Sequence, residues 1–198
     1  IRRQRQMCIR DSSYDSESRK PVVAFGNNLE DDLFRRDFTV NSMALRLPEG
    51  IFVDPFNGLT DLIDGVIRTP GKPEDSFSDD PLRIMRAARF ASQLGFMVHE
   101  DTFRAMKAMA DRIEIVSAER IQVEISKLIL GANPREGLEV LVDSGIAEIV
   151  FPELPSLKLE IDEHHHHKDV YEHTLTVLEQ AMGYELSLIH ISEPTRRS

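Results

Sequence analysis

From Pro70-Gly71-Lys72-Pro73 almost to the C-terminus, apolar residues recur at helical spacing, and this constrains the chain more than any other feature. The pattern predicts helices at about 80–94, 100–111, 118–130, 134–144 and 168–182. Gly95, Gly131 and Gly145 fall near their ends, where glycine commonly closes a helix. The residues before Pro70 read differently. Val22-Val23-Ala24-Phe25 has the composition of a short strand, after a polar run from Ser13 to Lys20 that reads as a loop. Met43 to Leu47 and Ile51 to Val53 flank Pro48-Glu49-Gly50 and predict a hairpin, Leu59 to Asp64 a short helix, and Val66 to Thr69 another strand. The layout is α+β: a small mixed segment followed by a helical one.

Both ends stand apart from this pattern. Residues 2–12 and 186–196 match in-frame translations of transposon sequencing adapters, so residues 1–12 and 186–198 are read as artefact and set aside. The only cysteine, Cys8, lies there, so no disulfide or cysteine metal site is expected in the remainder. The net charge is −10; removing four Arg and one Asp at the front and two Arg and one Glu at the back leaves −14 on residues 13–185. A chain that acidic is not a general polyanion binder, so any phosphate contact must come from local arginine clusters. No apolar run approaches the roughly 20 residues that span a bilayer. The expected setting is cytoplasmic, with no membrane partner.

One such cluster is Asp79-Asp80-Pro81-Leu82-Arg83-Ile84-Met85-Arg86-Ala87-Ala88-Arg89-Phe90. Pro81 suits the first helical position and Asp80 the N-cap. Arg83, Arg86 and Arg89 follow at steps of three, each about 60° short of a full turn, so they fan across one side of the helix. Three arginines without an interleaved acid or lysine are unusual for a solvated face. A planar guanidinium gives bidentate hydrogen bonds to phosphate or a base edge, and Asp80 places an acceptor beside those donors. The other reading of Asp80, a plain helix cap, stands beside this one. A second charged cluster, Arg35-Arg36-Asp37-Phe38-Thr39-Val40-Asn41, precedes the hairpin.

These motifs, in the order RRDFTVNSMAL, DPFNGLTDLIDGVIRT, FSDDPLRIMRAARFASQLGF and SAERIQVEISKLIL, resemble the class II tRNA nucleotidyltransferases. That family comprises bacterial CCA-adding enzymes and the related bacterial poly(A) polymerases. The resemblance implies a partial polymerase β-like nucleotidyltransferase head over residues 13–75, a helical neck over 76–160 and the start of an HD-type helical domain over 161–185. It implies that Arg36 and Asp37 hold the phosphates and ribose of the incoming nucleotide. Asp80 and Arg83 would read the Watson–Crick edge of CTP or ATP, and Arg86 and Arg89 would contact the nucleotide or brace its pocket. Asn41 belongs to the same motif as Arg36 and Asp37. Asp54, Gly58 and Asp61 match the flexible element between head and neck, and Glu119, Arg120 and Glu124 the helix supporting the template helix. tRNA, CTP and ATP are the implied partners.

The family's reaction, attack of an RNA 3′-hydroxyl on an α-phosphate, implies Mg²⁺ held by an Asp-x-Asp motif. That motif is absent from this chain, Glu30-Asp31-Asp32 being in the wrong place, so no catalytic residue is assigned and the segment alone is expected to be inactive. Asp162 to Leu175 contains His164-His165-His166-His167 and resembles the opening helix of an HD domain, in which His173 would be the first metal ligand. Two readings from other classes compete: an HD-type metal-dependent phosphohydrolase, which leaves the arginine fan unexplained, and a non-catalytic helical RNA-binding module, which the charge disfavours.

Overall fold

The structure, a computed structural model, describes residues 12–13, 22–23, 29–159 and 170–182. In chain order the elements are β1 (Ser12–Ser13), β2 (Val22–Val23), α1 (Leu29–Phe34), a 3₁₀ turn at Thr39–Asn41, β3 (Ala44–Arg46), β4 (Ile51–Val53), α2 (Gly58–Asp64) and β5 (Val66–Ile67). Then come α3 (Pro73–Asp79), α4 (Leu82–Leu94), β6 (Met97–Val98), α5 (Glu100–Ala108), a 3₁₀ stretch at Ala110–Ile115, α6 (Ala118–Ile129) and α7 (Pro134–Asp143). The short α8 (Ala147–Val150) and α9 (Glu153–Ser156) and a 3₁₀ turn at Leu157–Leu159 lead towards α10 (Val170–Met182). The α+β class is as the periodicity implies, and the expected hairpin forms, with β3 and β4 antiparallel and Leu45 opposite Phe52.

Several features depart from the sequence reading, among them the short helices α1, α8 and α9, which no pattern announces. Ser12–Ser13 pairs antiparallel with Val22–Val23, so Ser13 belongs to a strand, while Ala24 and Phe25 lie outside the described residues. β5 pairs in parallel with β6, a strand the sequence did not announce because two residues carry no alternation. The helix expected from residue 80 is preceded by α3, whose Pro73 at its start and acids Glu74 and Asp75 in its first turn are ordinary helix-opening chemistry. At seven residues α3 is too short for periodicity to reveal.

The core is organised around α4, which is buried on most sides: Leu82, Ile84, Met85, Ala87, Ala88, Ala91 and Ser92 are all inaccessible or nearly so. Small residues on α4 let α6 and α7 approach it closely. A Cβ on Gly137 of α7 would stand 2.9 Å from the Ala88 carbonyl oxygen and 2.7 Å from Ser92 Cβ, so only glycine fits that crossing. Ser92 fastens the joint, donating from Oγ to the Leu128 carbonyl at 2.5 Å and accepting the Asn133 backbone N–H at 2.7 Å. On the other side, Phe38 is fully buried and meets Phe90 edge to face at 5.5 Å. That contact inserts the loop after α1 into the helical core and brings the first half of the chain against α4.

At the far end, Leu175 and Tyr171 of α10 pack into the same core, and Arg135 of α7 binds Glu172 and Glu179 of α10 at 2.9 Å each. Burial first, then the nearby Glu139, Asp143 and Glu172 carboxylates, pushes the Tyr171 phenol up to about 12. The folded-state value exceeds the unfolded one near 10, so this contribution to stability is intact below pH 10 and lost as pH rises towards 12. An absorbance titration of tyrosinate should show a late ionisation near pH 12 that Tyr171→Phe removes.

Candidate nucleotide-binding site

Two segments far apart in sequence build the site. Within Arg35 to Asn41, Phe38 points into the core, so its neighbours Arg36 and Asp37 flank the entry point. Asp37 is nearly buried, and its carboxylate is crowded with donors: Oδ1 accepts the Phe38 backbone N–H at 2.9 Å and Asn41 Nδ2 at 3.0 Å, while Oδ2 pairs with Arg86 Nη2. Arg36 donates to the Asn41 carbonyl at 2.9 Å and to Asp32 Oδ2 at 3.2 Å. These bonds orient both side chains without closing their outer faces.

The second segment is the junction of α3 and α4. Asp80 ends α3 with extended backbone dihedrals, whereas Pro81 at φ −58° and ψ −22° is already helical, so Pro81 acts as the first residue of α4 and Asp80 as its cap. Asp80 Oδ1 accepts the Leu82 N–H at 3.2 Å. Arg83 reaches back over α3, donating to Ser76 Oγ at 2.7 Å, and forward to the Arg35 carbonyl at 2.5 Å. Arg83 and Arg86 therefore both staple α4 to the loop after α1.

Arg36, Asp37, Asn41, Asp80, Arg83 and Arg86 together line one cavity of about 340 Å³. That lies within the range of small-ligand sites, roughly 300–1,000 Å³. Its wall carries three guanidinium groups, two carboxylates and one amide, an arrangement able to meet an anion and a donor–acceptor edge at once.

Arg89 departs from this set. Two steps of three residues turn it about 120° from Arg83, which carries it away from the cavity and into the interior. There it is 8% exposed, pairs with Glu124 Oε2 at 3.1 Å, and lies 4.5 Å over the Phe90 ring. Burial pulls its pKa down against the opposing pull of Glu124. The arginine fan is thus divided, with Arg83 and Arg86 at the cavity and Arg89 beneath it, joined to α6. Arg89 is not among the residues that line the cavity.

The remaining motif residues support the site from further out. Asp54 accepts the Gly58 and Leu59 N–H groups at 2.7 and 2.9 Å, satisfying the start of α2. Asp61 is buried and accepts Thr39 Oγ1 at 2.6 Å, with Arg68 Nε at 3.3 Å, so α2 holds the 3₁₀ turn of the first cluster. On α6, Glu119 is exposed and held below the usual carboxylate range, by its own backbone N–H first and by the Ser117 hydroxyl second. Arg120 touches Asp80. His173 is exposed on α10, His164 to His167 lie outside the described residues, and among those described no group of three or more His, Cys, Asp or Glu side chains is disposed to hold a metal. Ser76, the Thr39–Asp61 link and the Arg35 carbonyl hold the cavity residues or their segments, contacts the sequence does not announce, because hydroxyls and carbonyls of this kind leave no pattern in a single sequence.

The model for the poly A polymerase head domain matches residues 6–68, and the model described as a probable RNA and SrmB-binding site of polymerase A matches residues 95–157. The chain belongs to the poly(A) polymerase and CCA-adding nucleotidyltransferase family. The head-domain match overlaps residues 6–12, which the adapter reading assigns to artefact.

Family relatives include the CCA-adding enzyme of Ligilactobacillus salivarius, 46% identical over 134 residues, covering 68% of this chain and 33% of that protein. That of Limosilactobacillus reuteri is 43% identical over 136 residues, covering 69% and 34%. The chain therefore spans about a third of the length of these curated relatives. The crystal structure of the Bacillus stearothermophilus CCA-adding enzyme in complex with CTP superposes with a TM-score of 0.60 at 40% identity, covering 62% of this chain and 31% of that one. The Thermotoga maritima CCA-adding enzyme complexed with tRNA superposes at 0.58 with 27% identity, covering 82% and 46%.

Proposed function

We propose that this segment is the nucleotide-selecting part of a tRNA nucleotidyltransferase that adds C, C and A to tRNA 3′ ends from CTP and ATP. The observation that carries the reading is the convergence of six charged or amide side chains, from segments about 40 residues apart, on a single cavity. Cytosine and adenine share an amino donor beside a ring-nitrogen acceptor on their Watson–Crick edges. A carboxylate next to a guanidinium complements that edge, whereas uracil presents the reverse order. Asp80 and Arg83 take this role, with Arg36, Asp37 and Arg86 placed for the ribose and phosphates and Asn41 fixing Asp37.

In this reading residues 13–75 form part of the head, 76–160 the neck, and 161–185 open an HD-type helical region in a cytoplasmic enzyme. Among the described residues no helix is long and apolar enough to cross a membrane. The family's chemistry calls for Mg²⁺, but the described carboxylates do not fit a metal site, and the role of these residues is binding and orientation.

The test uses the full-length protein. Asp80→Ala and Arg83→Ala should erode the preference for CTP and ATP over UTP and GTP, and the choice between CTP and ATP, while leaving the melting temperature within a few degrees of wild type. Wild-type selectivity in both variants would reduce Asp80 to a helix cap and sink the reading. Product lengths on a tRNA lacking its 3′ end address the alternative within the family: addition that stops after C, C and A supports CCA synthesis, and a long A tail supports poly(A) synthesis.

A further inference from the structure

Ser76 sits in the middle of α3, is 9% exposed and does not line the cavity, yet its side chain holds a residue that does. Its hydroxyl oxygen accepts Arg83 Nη1 at 2.7 Å. The other terminal nitrogen of Arg83, Nη2, donates at 2.5 Å to the Arg35 carbonyl, which belongs to the loop after α1. The guanidinium is a rigid plane, so an anchor on each terminal nitrogen fixes its direction. With one anchor gone, the plane can pivot about the other. The Ser76 carbonyl cannot replace the hydroxyl, because it lies 3.4 Å from Nη1 and already accepts the Asp80 backbone N–H at 3.2 Å. The Arg35 anchor is a backbone group, so Ser76 supplies the one that a side-chain substitution can remove.

We infer that Ser76 is a specificity-positioning residue, whose hydroxyl sets the plane of the Arg83 guanidinium against the ring nitrogen of the incoming base. This deepens the nucleotide-selecting reading and rests on it. Cytosine and adenine offer a bare ring nitrogen to a donor, whereas uracil presents an N–H there, flanked on both sides by carbonyl oxygens. A guanidinium held in place meets that N–H donor to donor, and the unpaired donors reject the base. One that pivots can turn to a flanking carbonyl and tolerate uracil. A hydroxyl suits this task because it holds the guanidinium without neutralising its charge, which stays available to the nucleotide.

The experiment is a double-mutant cycle of Ser76 and Arg83 on the full-length protein, reading kcat/KM for CTP, ATP and UTP with a tRNA acceptor. Ser76→Ala should lower discrimination against UTP by about tenfold, the worth of one hydrogen bond to a charged group. Alanine is the better helix former and removes only the hydroxyl, so this variant should fold and melt near the wild-type temperature. Ser76→Thr returns the oxygen and should restore most of the lost discrimination. In the Arg83→Ala background Ser76→Ala should change the ratios no further, since its effect passes through the guanidinium. Wild-type ratios in Ser76→Ala beside lost discrimination in Arg83→Ala would overturn this proposal and leave the nucleotide-selecting reading standing. So would an equal fall in kcat/KM for all three nucleotides, which would reduce Ser76 to packing, or the same loss of ratio with and without Arg83. Full discrimination in Arg83→Ala alone would sink the nucleotide-selecting reading first and this proposal with it.

Discussion

Glu124→Leu should destabilise the chain by about 3–5 kcal/mol, because it leaves the Arg89 guanidinium buried without its counter-ion. Arginine does not escape by deprotonating, so the charge stays. The Phe90 ring face, 4.5 Å away, offsets only part of the loss, since a cation–π contact contributes about 0.5–2 kcal/mol. Lys127 lies 3.7 Å from Glu124 but is half exposed and adds little. The double variant Arg89→Met with Glu124→Leu should recover most of the loss, because an apolar pair of similar volume often matches or exceeds a buried ion pair in stability. Urea denaturation checks both, the expected change being in the midpoint with an unaltered slope. If Glu124→Leu alone costs under about 1 kcal/mol, the pair is solvated in a way its burial does not suggest.

The chain around that pair combines elements that announce themselves in the sequence with others that do not. The long helices α4, α5, α6, α7 and α10 were legible because each runs for nine or more residues, long enough for the period to show. The pairing of β5 with β6 and the short helices α3, α8 and α9 were not, since none exceeds seven residues and each is fixed by tertiary contact. In the site, Arg36, Asp37, Asp80, Arg83 and Arg86 stand out as an excess of charge without solvated patterning, and all five face one cavity. Arg89 looks equivalent to Arg83 and Arg86 by spacing, yet 120° of helix turn sends it to the interior. Composition could not separate those fates, because the deciding partner, Glu124, lies 35 residues away on another helix. Asp80 caps α4 through Oδ1 and also lines the cavity, so the cap geometry is compatible with the nucleotide-reading role proposed for it.

Gly58→Ala should cost about 3 kcal/mol, at the upper end for overpacking, and should weaken nucleotide binding although Gly58 does not touch the cavity. A Cβ there would lie 2.1 Å from the Thr39 carbonyl oxygen, 2.8 Å from its carbon and 2.9 Å from Met43 Cγ. The first two are backbone atoms that cannot swing aside. The gain alanine brings to a helix, at most about 1 kcal/mol, does not offset such a clash. Relief requires α2 and the Thr39–Asn41 turn to separate, which stretches the Thr39–Asp61 hydrogen bond and the Thr39 N–H bond to the Arg68 carbonyl at 2.8 Å. Phe38 and Asp37 immediately precede that turn, so the displacement reaches the Asp37–Arg86 pair and the cavity wall. Gly50→Ala supplies the comparison: Gly50 has φ +71° but nothing within 4 Å of an added Cβ, so it should cost only the left-handed backbone penalty of about 1–2 kcal/mol and leave binding unchanged. Equal losses of nucleotide affinity in the two variants would mean that the close approach of α2 does not position the site. A loss confined to Gly58→Ala would assign that role to the contact between α2 and the Thr39 carbonyl.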